Sequence, residues 1–136
     1  MNKILIDTMH ITDLLTEDSH IELAQVLQNK KITGLVSVIT LTELVKTVGM
    51  RDEELMHSIL NRLISSNLVF IDVTQRIAMR AGELRLKYDI PTADSLIAAT
   101  GIVENVKHIL TDDDHFDSVI NLIKPINLKT ALKIAR

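Results

Sequence analysis

The chain has 136 residues, a formal net charge of −3, no cysteine and no tryptophan, and only three aromatic residues. A chain of this length suits one domain, over residues 1–136, with a core that aliphatic side chains must supply. The absence of cysteine excludes disulfides and thiolate metal sites, while the negative charge and scarce aromatics argue against a protein that coats nucleic acid or stacks bases on its surface.

Short apolar runs alternate with helical patterns in the first half of the chain. Three of these runs predict buried strands, namely residues 3–7, 35–39 and 68–71. The patterns S-x-x-E at Ser19 and T-x-x-E at Thr40 have the form of capping boxes that open helices, and Asp52 is predicted to cap a further helix. The predicted apolar faces are Ile21, Ala24 and Leu27 after Ser19, and Leu55, Ile59 and Leu63 after Asp52.

The second half continues the alternation. A helix is predicted over residues 74–87, with an apolar stripe beside a charged one. The apolar stripe is Ile77, Ala81, Leu84 and Tyr88, and the charged stripe is Arg76, Arg80, Glu83 and Lys87. Pro91 favours a helix over residues 92–105, because proline fits at a helix start. A fourth strand over residues 106–110, a short strand after Pro125 and a helix over residues 128–135 complete the pattern.

These elements predict the fold class and the compartment. Strands separated by helix-length segments imply an α/β domain with a central parallel sheet of four to five strands and helices on both faces. The amino terminus reaches Asp7 too early for a signal peptide, and the longest apolar runs are far short of the roughly twenty residues of a membrane span. We therefore expect a cytoplasmic protein with no membrane segment.

Four acidic residues lie where the carboxyl ends of the predicted strands would meet. Asp7 closes the first strand, Glu43 lies one turn beyond the second, Asp113 follows the fourth, and Asp94 lies in the first turn of the helix before it. Ligands of open α/β sheets bind at this edge, so four distant carboxylates are predicted to converge there.

Each acid also has a plain structural explanation. Glu43 can be the third residue of its capping box, Asp94 a charge that the helix dipole favours, and Asp113 part of a solvated turn. Asp7 is hardest to explain this way, because a carboxylate against an aliphatic central strand is costly unless it is paired.

A cluster of four carboxylates has restricted chemistry. Like charges repel, so the cluster needs a counter-charge, and all-oxygen ligands suit one or two Mg²⁺ or Mn²⁺ ions. Such a site binds phosphate oxygens and activates water, which favours phosphodiester hydrolysis.

Other chemistry-bearing residues support weaker hypotheses. None of the five histidines forms a familiar ligand pair, and His115 is predicted to be a loop residue, with a phosphate contact as the alternative. The basic residues of the charged stripe either follow an RNA backbone or form a solvated helix face.

Four segments of the chain match a known family in order and spacing. They are I-D-T at residues 6–8, S-V-I-T-L-T-E-L at residues 37–44, P-T-A-D-S-L-I-A-A-T-G at residues 91–101 and T-D-D-D-H-F at residues 111–116. On these motifs the chain resembles the PIN-domain ribonucleases, and within them the VapC-like toxins of toxin–antitoxin pairs. The third motif is the most specific of the four.

The resemblance implies a function and a set of site residues. Asp7, Glu43, Asp94 and Asp113 correspond to the acidic residues that bind Mg²⁺ or Mn²⁺ for RNA cleavage. Thr8 and Thr111, with Asp112, correspond to residues that orient waters or carboxylates around the metal. The choice of Asp113 over Asp112 and Asp114 rests on its spacing to Phe116.

The resemblance also implies partners. These are an RNA substrate, a small antitoxin protein and a second copy of the chain, with Ile11, Leu14 and Leu15 as contributors to a homodimer. The alternative is a catalytically silent or partner-dependent PIN-fold binding module in an RNA-processing assembly.

Two positions depart from the family pattern. Met9 follows Asp-Thr where a small polar residue is common, which predicts an altered contact near the site. Gly101 replaces a usual alanine, which predicts a cost in helix propensity alone.

Overall fold

The computed structural model describes residues 2–136 and builds them around a five-stranded sheet. The strands are β1 (Lys3–Ile6), β2 (Thr33–Ser37), β3 (Val69–Ile71), β4 (His108–Leu110) and β5 (Lys124–Ile126). Their order is β3-β2-β1-β4-β5, and every neighbouring pair is parallel. The first strand is therefore central, and all five carboxyl ends meet at one edge.

Seven helices cover the two faces of the sheet. They are α1 (Thr8–Thr16), α2 (Ile21–Gln28), α3 (Ile39–Gly49), α4 (Glu53–Ile64), α5 (Gln75–Lys87), α6 (Thr92–Val103) and α7 (Leu128–Ile134). Short 3₁₀ helices span Asp18–His20 and Asp114–Val119. Successive side chains of a strand face opposite sides, and β1 shows this directly. Ile4 and Ile6 pack with α1 to α4 and α7, and Leu5 packs with α5 and α6. The predicted α/β class with helices on both faces is confirmed.

The second strand lies two residues earlier than predicted. It begins at Thr33 and ends at Ser37, whose hydroxyl accepts a hydrogen bond from the Ile39 amide at the start of α3. A β-carbon on Gly34 would lie 2.8 Å from Leu68 Cδ2 and 2.9 Å from Ile6 Cδ1, so a larger residue there would require these side chains to shift. The apolar pair Val38–Ile39 resembles strand in sequence but forms a helix start, and Val38, not Thr40, is the N-cap of α3.

Of the helix starts predicted at Asp52 and Ser19, the first is confirmed and the second is wrong. Asp52 caps α4 as predicted, accepting a hydrogen bond from the Leu55 amide at 3.0 Å. The capping box at Ser19 is wrong: α2 begins at Ile21, and the Ser19 hydroxyl bonds instead to the ring of His20.

The predicted apolar faces also differ in outcome. On α2, Leu27 is buried as predicted, while Ile21 is 54% exposed and Leu23 is buried instead. Ile59 and Leu63 are buried in α4 as predicted, while Met56 replaces the more exposed Leu55. On α5 the stripe of Ile77, Ala81 and Leu84 is confirmed.

Three sequence interpretations change with the fold. Ile11 is completely buried in the core, so it cannot contribute to a homodimer surface, and Leu14 and Leu15 are partly buried against the same core. Met9 is 65% exposed, so it makes no buried contact near the site. Gly101 has a steric role beyond helix propensity, because a β-carbon there would lie 2.5 Å from Ile123 Cδ1.

Within residues 2–136, no helix combines the length and the apolar character that crossing a bilayer requires.

Candidate functional site

Asp7 lies at the carboxyl end of the central strand and is also the N-cap of α1. Its carboxylate is buried, with Oδ1 accepting from the Thr8 amide at 2.8 Å and Oδ2 accepting from the Thr111 hydroxyl at 2.7 Å. Burial raises the pKa of the Asp7 carboxyl, and the hydrogen bonds from Thr111 and Thr8 oppose that rise. Asp7 is thus a fixed, buried acid with both oxygens held.

Thr111 joins the end of β4 to the end of β1. While it donates to Asp7, its hydroxyl oxygen accepts a hydrogen bond from the Asp113 amide at 3.0 Å. Asp113 in turn caps the following 3₁₀ helix by accepting from the His115 amide at 2.9 Å. The threonine therefore sets the position of two of the predicted acids at once.

Glu43 reaches the same edge from α3. Its Oε1 accepts from the Thr8 hydroxyl at 2.6 Å, and the Thr8 oxygen lies 3.1 Å from the hydroxyl of the buried Thr40. Since the Thr8 proton goes to Glu43, Thr40 donates in the second contact. The capping-box explanation of Glu43 is therefore wrong, because the side chain faces Thr8.

Asp94 lies in the first turn of α6, and its side chain is 15% exposed. Burial raises the pKa of the Asp94 carboxyl to about 6, and the negative charges of Asp113 and Asp7 add to the rise. The coupling to both acids shows that three of the four carboxylates share one electrostatic environment. Glu43 is joined to this group through Thr8.

His115 lies between two of the acids. Its Nδ1 is 3.1 Å from Asp94 Oδ2 and 3.1 Å from Asp113 Oδ1. The charge of Asp113, and then that of Asp94, raises the pKa of the His115 imidazole. The prediction of a loop residue missed these contacts, although a histidine two positions after an acid was a usable signal.

The three consecutive aspartates divide between two sides of their loop. Asp113 and Asp94 both contact His115, and the selection of Asp113 from the run stays a prediction. The contact of Asp112 is with His10, whose Nε2 lies 3.1 Å from Asp112 Oδ2. The supporting role predicted for Asp112 beside the metal stays a prediction.

The residues at this edge fit a hard divalent cation. One carboxylate oxygen from each of Asp94 and Asp113 and a ring nitrogen of His115 lie within 4.8 Å of one another. Hard oxygen donors are the ligands that Mg²⁺ and Mn²⁺ prefer. The raised pKa of Asp94 reflects burial and then like-charge repulsion, and a cation beside the carboxylate would offset both.

Comparison with known proteins is consistent with this geometry. A family model described as PIN domain matches residues 4–122. No curated protein sequence matches the chain at a significant level.

Similar folds occur in solved toxin–antitoxin structures. A chain in the structure of VapBC2 from Rickettsia felis bound to a DNA fragment from its promoter is 28% identical, with a TM-score of 0.76, and the match covers 92% of this chain and 98% of that one. A chain of DNA-bound VapBC from Salmonella typhimurium is 22% identical, with a TM-score of 0.73 and coverage of 93% and 98%.

A third structure shares the fold at lower identity. VapC20 from Mycobacterium tuberculosis, described as a sarcin–ricin loop cleaving toxin, is 14% identical, with a TM-score of 0.69 and coverage of 89% and 97%. The family match spans most of the chain, and all four acids of the site lie within it. This chain belongs to the PIN domain family.

Proposed function

We propose that the chain is a metal-dependent endoribonuclease and the toxin component of a type II toxin–antitoxin pair. One observation carries the proposal: at the carboxyl edge of the sheet, carboxylate oxygens of Asp94 and Asp113 lie within 4.8 Å of each other, and Thr111 joins Asp113 to the buried Asp7. Carboxylates held in this way need a positive counter-charge, and the scissile phosphate of RNA needs one too. The likeness to toxin–antitoxin structures supports the biological setting.

Asp7 and Asp94 are the principal ligands in this proposal, with Glu43 and Asp113 completing the site directly or through water. When bound, one or two Mg²⁺ or Mn²⁺ ions would supply charge stabilisation at the phosphate and activation of water. Thr111 holds the carboxylate of Asp7, and Thr8 holds that of Glu43. These two hydroxyls fix the direction of ligand oxygens before substrate arrives, which is the usual role of groups behind a metal ligand.

His115 is the residue best placed to meet the substrate. It is 54% exposed, carries a raised pKa and lies against Asp94 and Asp113. A ring N–H of this exposed imidazole can donate to a phosphate oxygen beside the carboxylates. Apart from the four acids of the site, the chain has 14 acidic residues against 15 lysines and arginines, which lessens the electrostatic penalty of approaching RNA.

The proposed protein partner is a small antitoxin. A groove on the α1–α2–α4 side offers both apolar and polar contacts, since it is lined by Leu14, Leu15, Leu63, Leu68 and Arg62, among others. An amphipathic segment of a partner could cover these leucines. A homodimer remains part of the proposal, through surface residues other than the buried Ile11.

The test is RNA cleavage with added Mg²⁺ or Mn²⁺, with and without a chelator. Asp7→Asn should lower cleavage on the order of a thousandfold, because several kcal/mol of transition-state stabilisation is lost with the ion. Asp114→Asn is the matched control, since Asp114 is an exposed acid of the same loop and should keep wild-type activity.

Chelator-resistant cleavage, or full activity of Asp7→Asn, would contradict the metal mechanism. A wild-type protein that binds Mn²⁺, cleaves no RNA and co-purifies with a small protein would favour the alternative of a partner-dependent binding module.

A further inference from the structure

Two buried histidines face each other between α1 and the start of α2. His10 Nδ1 lies 2.9 Å from His20 Nε2, and the ring centroids are 5.2 Å apart. His10 is 3% exposed and His20 is 5% exposed, so both rings are buried. One comes from the first turns of α1 and the other from the residue before α2. The pair therefore links α1 to the start of α2, and the nuclease proposal assigns no role to either histidine.

A carboxylate completes this group. Asp13 follows His10 by three residues on α1, which places both side chains on one helix face. One oxygen of Asp13 and one ring nitrogen from each histidine all lie within 4.8 Å of one another. Two imidazoles and a carboxylate are a frequent ligand set for zinc.

The outer ring nitrogens also have polar groups beside them. His20 Nδ1 lies 2.7 Å from the Ser19 hydroxyl, and His10 Nε2 lies 3.1 Å from Asp112 Oδ2. The second contact is close enough for an ion pair but lacks hydrogen-bond alignment, so His10 Nε2 is a buried polar atom without a satisfied hydrogen bond. Histidine ligands of metals usually donate their other N–H to a carboxylate, a carbonyl or a water. Asp112 lies beside the outer ring nitrogen of His10, and Ser19 lies beside that of His20, as such partners do.

We propose that His10, Asp13 and His20 form a second metal site, which takes a borderline transition ion such as Zn²⁺ rather than Mg²⁺. Imidazole nitrogen selects this class of ion over the hard cations that suit the all-carboxylate edge. The proposed ligand atoms are His10 Nδ1, His20 Nε2 and one oxygen of Asp13, and solvent supplies the fourth position.

The required rearrangement is small. Zinc–nitrogen distances of about 2.0–2.1 Å place two ligand nitrogens of a tetrahedral site about 3.3 Å apart, against 2.9 Å here. The rings must separate by about half an ångström, with both lone pairs turned toward Asp13.

Occupancy would connect this site to the nuclease edge. Coordination at Nδ1 leaves the proton of His10 on Nε2, where it can turn onto Asp112. Asp112 precedes Asp113 directly, so the ion would steady the loop that carries one of the acids. It would also tie α1 to the start of α2.

The experiment is zinc binding to chelator-stripped protein, measured by competition with a chromophoric chelator. The Asp94→Asn variant weakens metal binding at the carboxylate edge, so zinc binding that remains can be assigned to the histidine site. We expect this variant to bind one Zn²⁺ per chain with the affinity of the wild type. Adding His20→Gln to that variant should abolish this binding, whereas adding His57→Gln, at an exposed histidine of α4, should leave it intact. Loss of all zinc binding in Asp94→Asn alone, or unchanged binding in the variant with His20→Gln, would overturn the proposal.

Two further measurements do not rely on replacing a buried residue such as His20, whose substitution can disturb folding. Ser19 is exposed, and Ser19→Ala should weaken zinc affinity by about tenfold to a hundredfold, as loss of a partner behind a ligand does. Anomalous diffraction from zinc-soaked wild-type crystals should show an ion between His10 and His20. An ion found only beside Asp94 and Asp113 would refute the second site. Failure of RNA cleavage would not bear on these results, because the zinc measurements require no activity.

Discussion

The carboxylates at the edge of the sheet and the histidine pair between α1 and α2 are two polar clusters with opposite energetics. Burial raises the pKa values of Asp7 and Asp94, and their repulsion with Asp113 adds to the rise. His10 and His20 attract, since their facing nitrogens are 2.9 Å apart. The first cluster is strained without a cation, whereas the second is held together by its own hydrogen bond. Proximity of polar groups therefore does not by itself show whether a cluster stabilises the fold.

The largest expected effect on stability tests the histidine side of this comparison. His10→Ala should lower the free energy of unfolding by about 2–4 kcal/mol, because it empties a buried site and removes the bond to His20. The measurement is urea unfolding in the presence of a chelator. His57→Ala, at an exposed position, should change stability by no more than about 0.5 kcal/mol. If His10→Ala lowered the free energy of unfolding no more than His57→Ala does, the histidine pair would contribute little to stability.

A smaller effect of opposite sign is expected at the carboxylate edge. The pKa of Asp94 is raised from 3.8 to about 6 in the folded protein, so between these values the folded state binds more protons than the unfolded state. The free energy of unfolding must then fall as pH rises through this window. Above it, Asp94→Asn should stabilise the metal-free protein by about 1–3 kcal/mol.

Unfolding in chelator from pH 4 to pH 8 checks this prediction. The free energy of unfolding of the wild type should decline with rising pH relative to that of Asp94→Asn. Added Mn²⁺ should raise the stability of the wild type but not that of Asp94→Asn. Asp89→Asn, at an exposed acid between α5 and α6, should follow the wild type at every pH. Parallel curves for wild type and Asp94→Asn would mean that burial and repulsion at this edge have a negligible effect on stability.

The smallest effect concerns the threonine that orders the carboxylates. Thr111→Val keeps the shape of the side chain but removes its hydrogen bonds with Asp7 and the Asp113 amide. We expect a loss of about 1–2 kcal/mol in stability, together with slower cleavage. Thr16→Val is the control, because Thr16 is an exposed threonine bonded within α1 alone. Equal stabilities of the two variants would show that the carboxylates hold their positions without Thr111.

The difference between the two clusters also explains what could be predicted from the sequence. The acids follow strand ends, so the alternation of apolar runs and helices is enough to predict that they meet at one edge of the sheet. In a parallel sheet with helical crossovers, all strands have their carboxyl ends at the same edge, so residues that follow different strands meet there. Their roles as ligands stay predictions.

The histidine pair follows no such rule. Ten residues and an irregular turn separate His10 from His20, and their contact depends on how α2 docks after the 3₁₀ helix at Asp18–His20. The spacing of His10 and Asp13 on one helix face was the only local signal. The predicted end of β2 is wrong because Val38 and Ile39, which resemble strand residues in sequence, form the start of α3.

The run of three aspartates has a consequence for how the loop after β4 can change during evolution. Asp112 and Asp113 face different partners, although one peptide bond separates them. Loss of one aspartate from the run would still leave carboxylates at positions 112 and 113, and would shift only the residues that follow, His115 first. The repeated residue therefore protects both acidic positions against a one-residue deletion, while the histidine that lies between Asp94 and Asp113 is left unprotected.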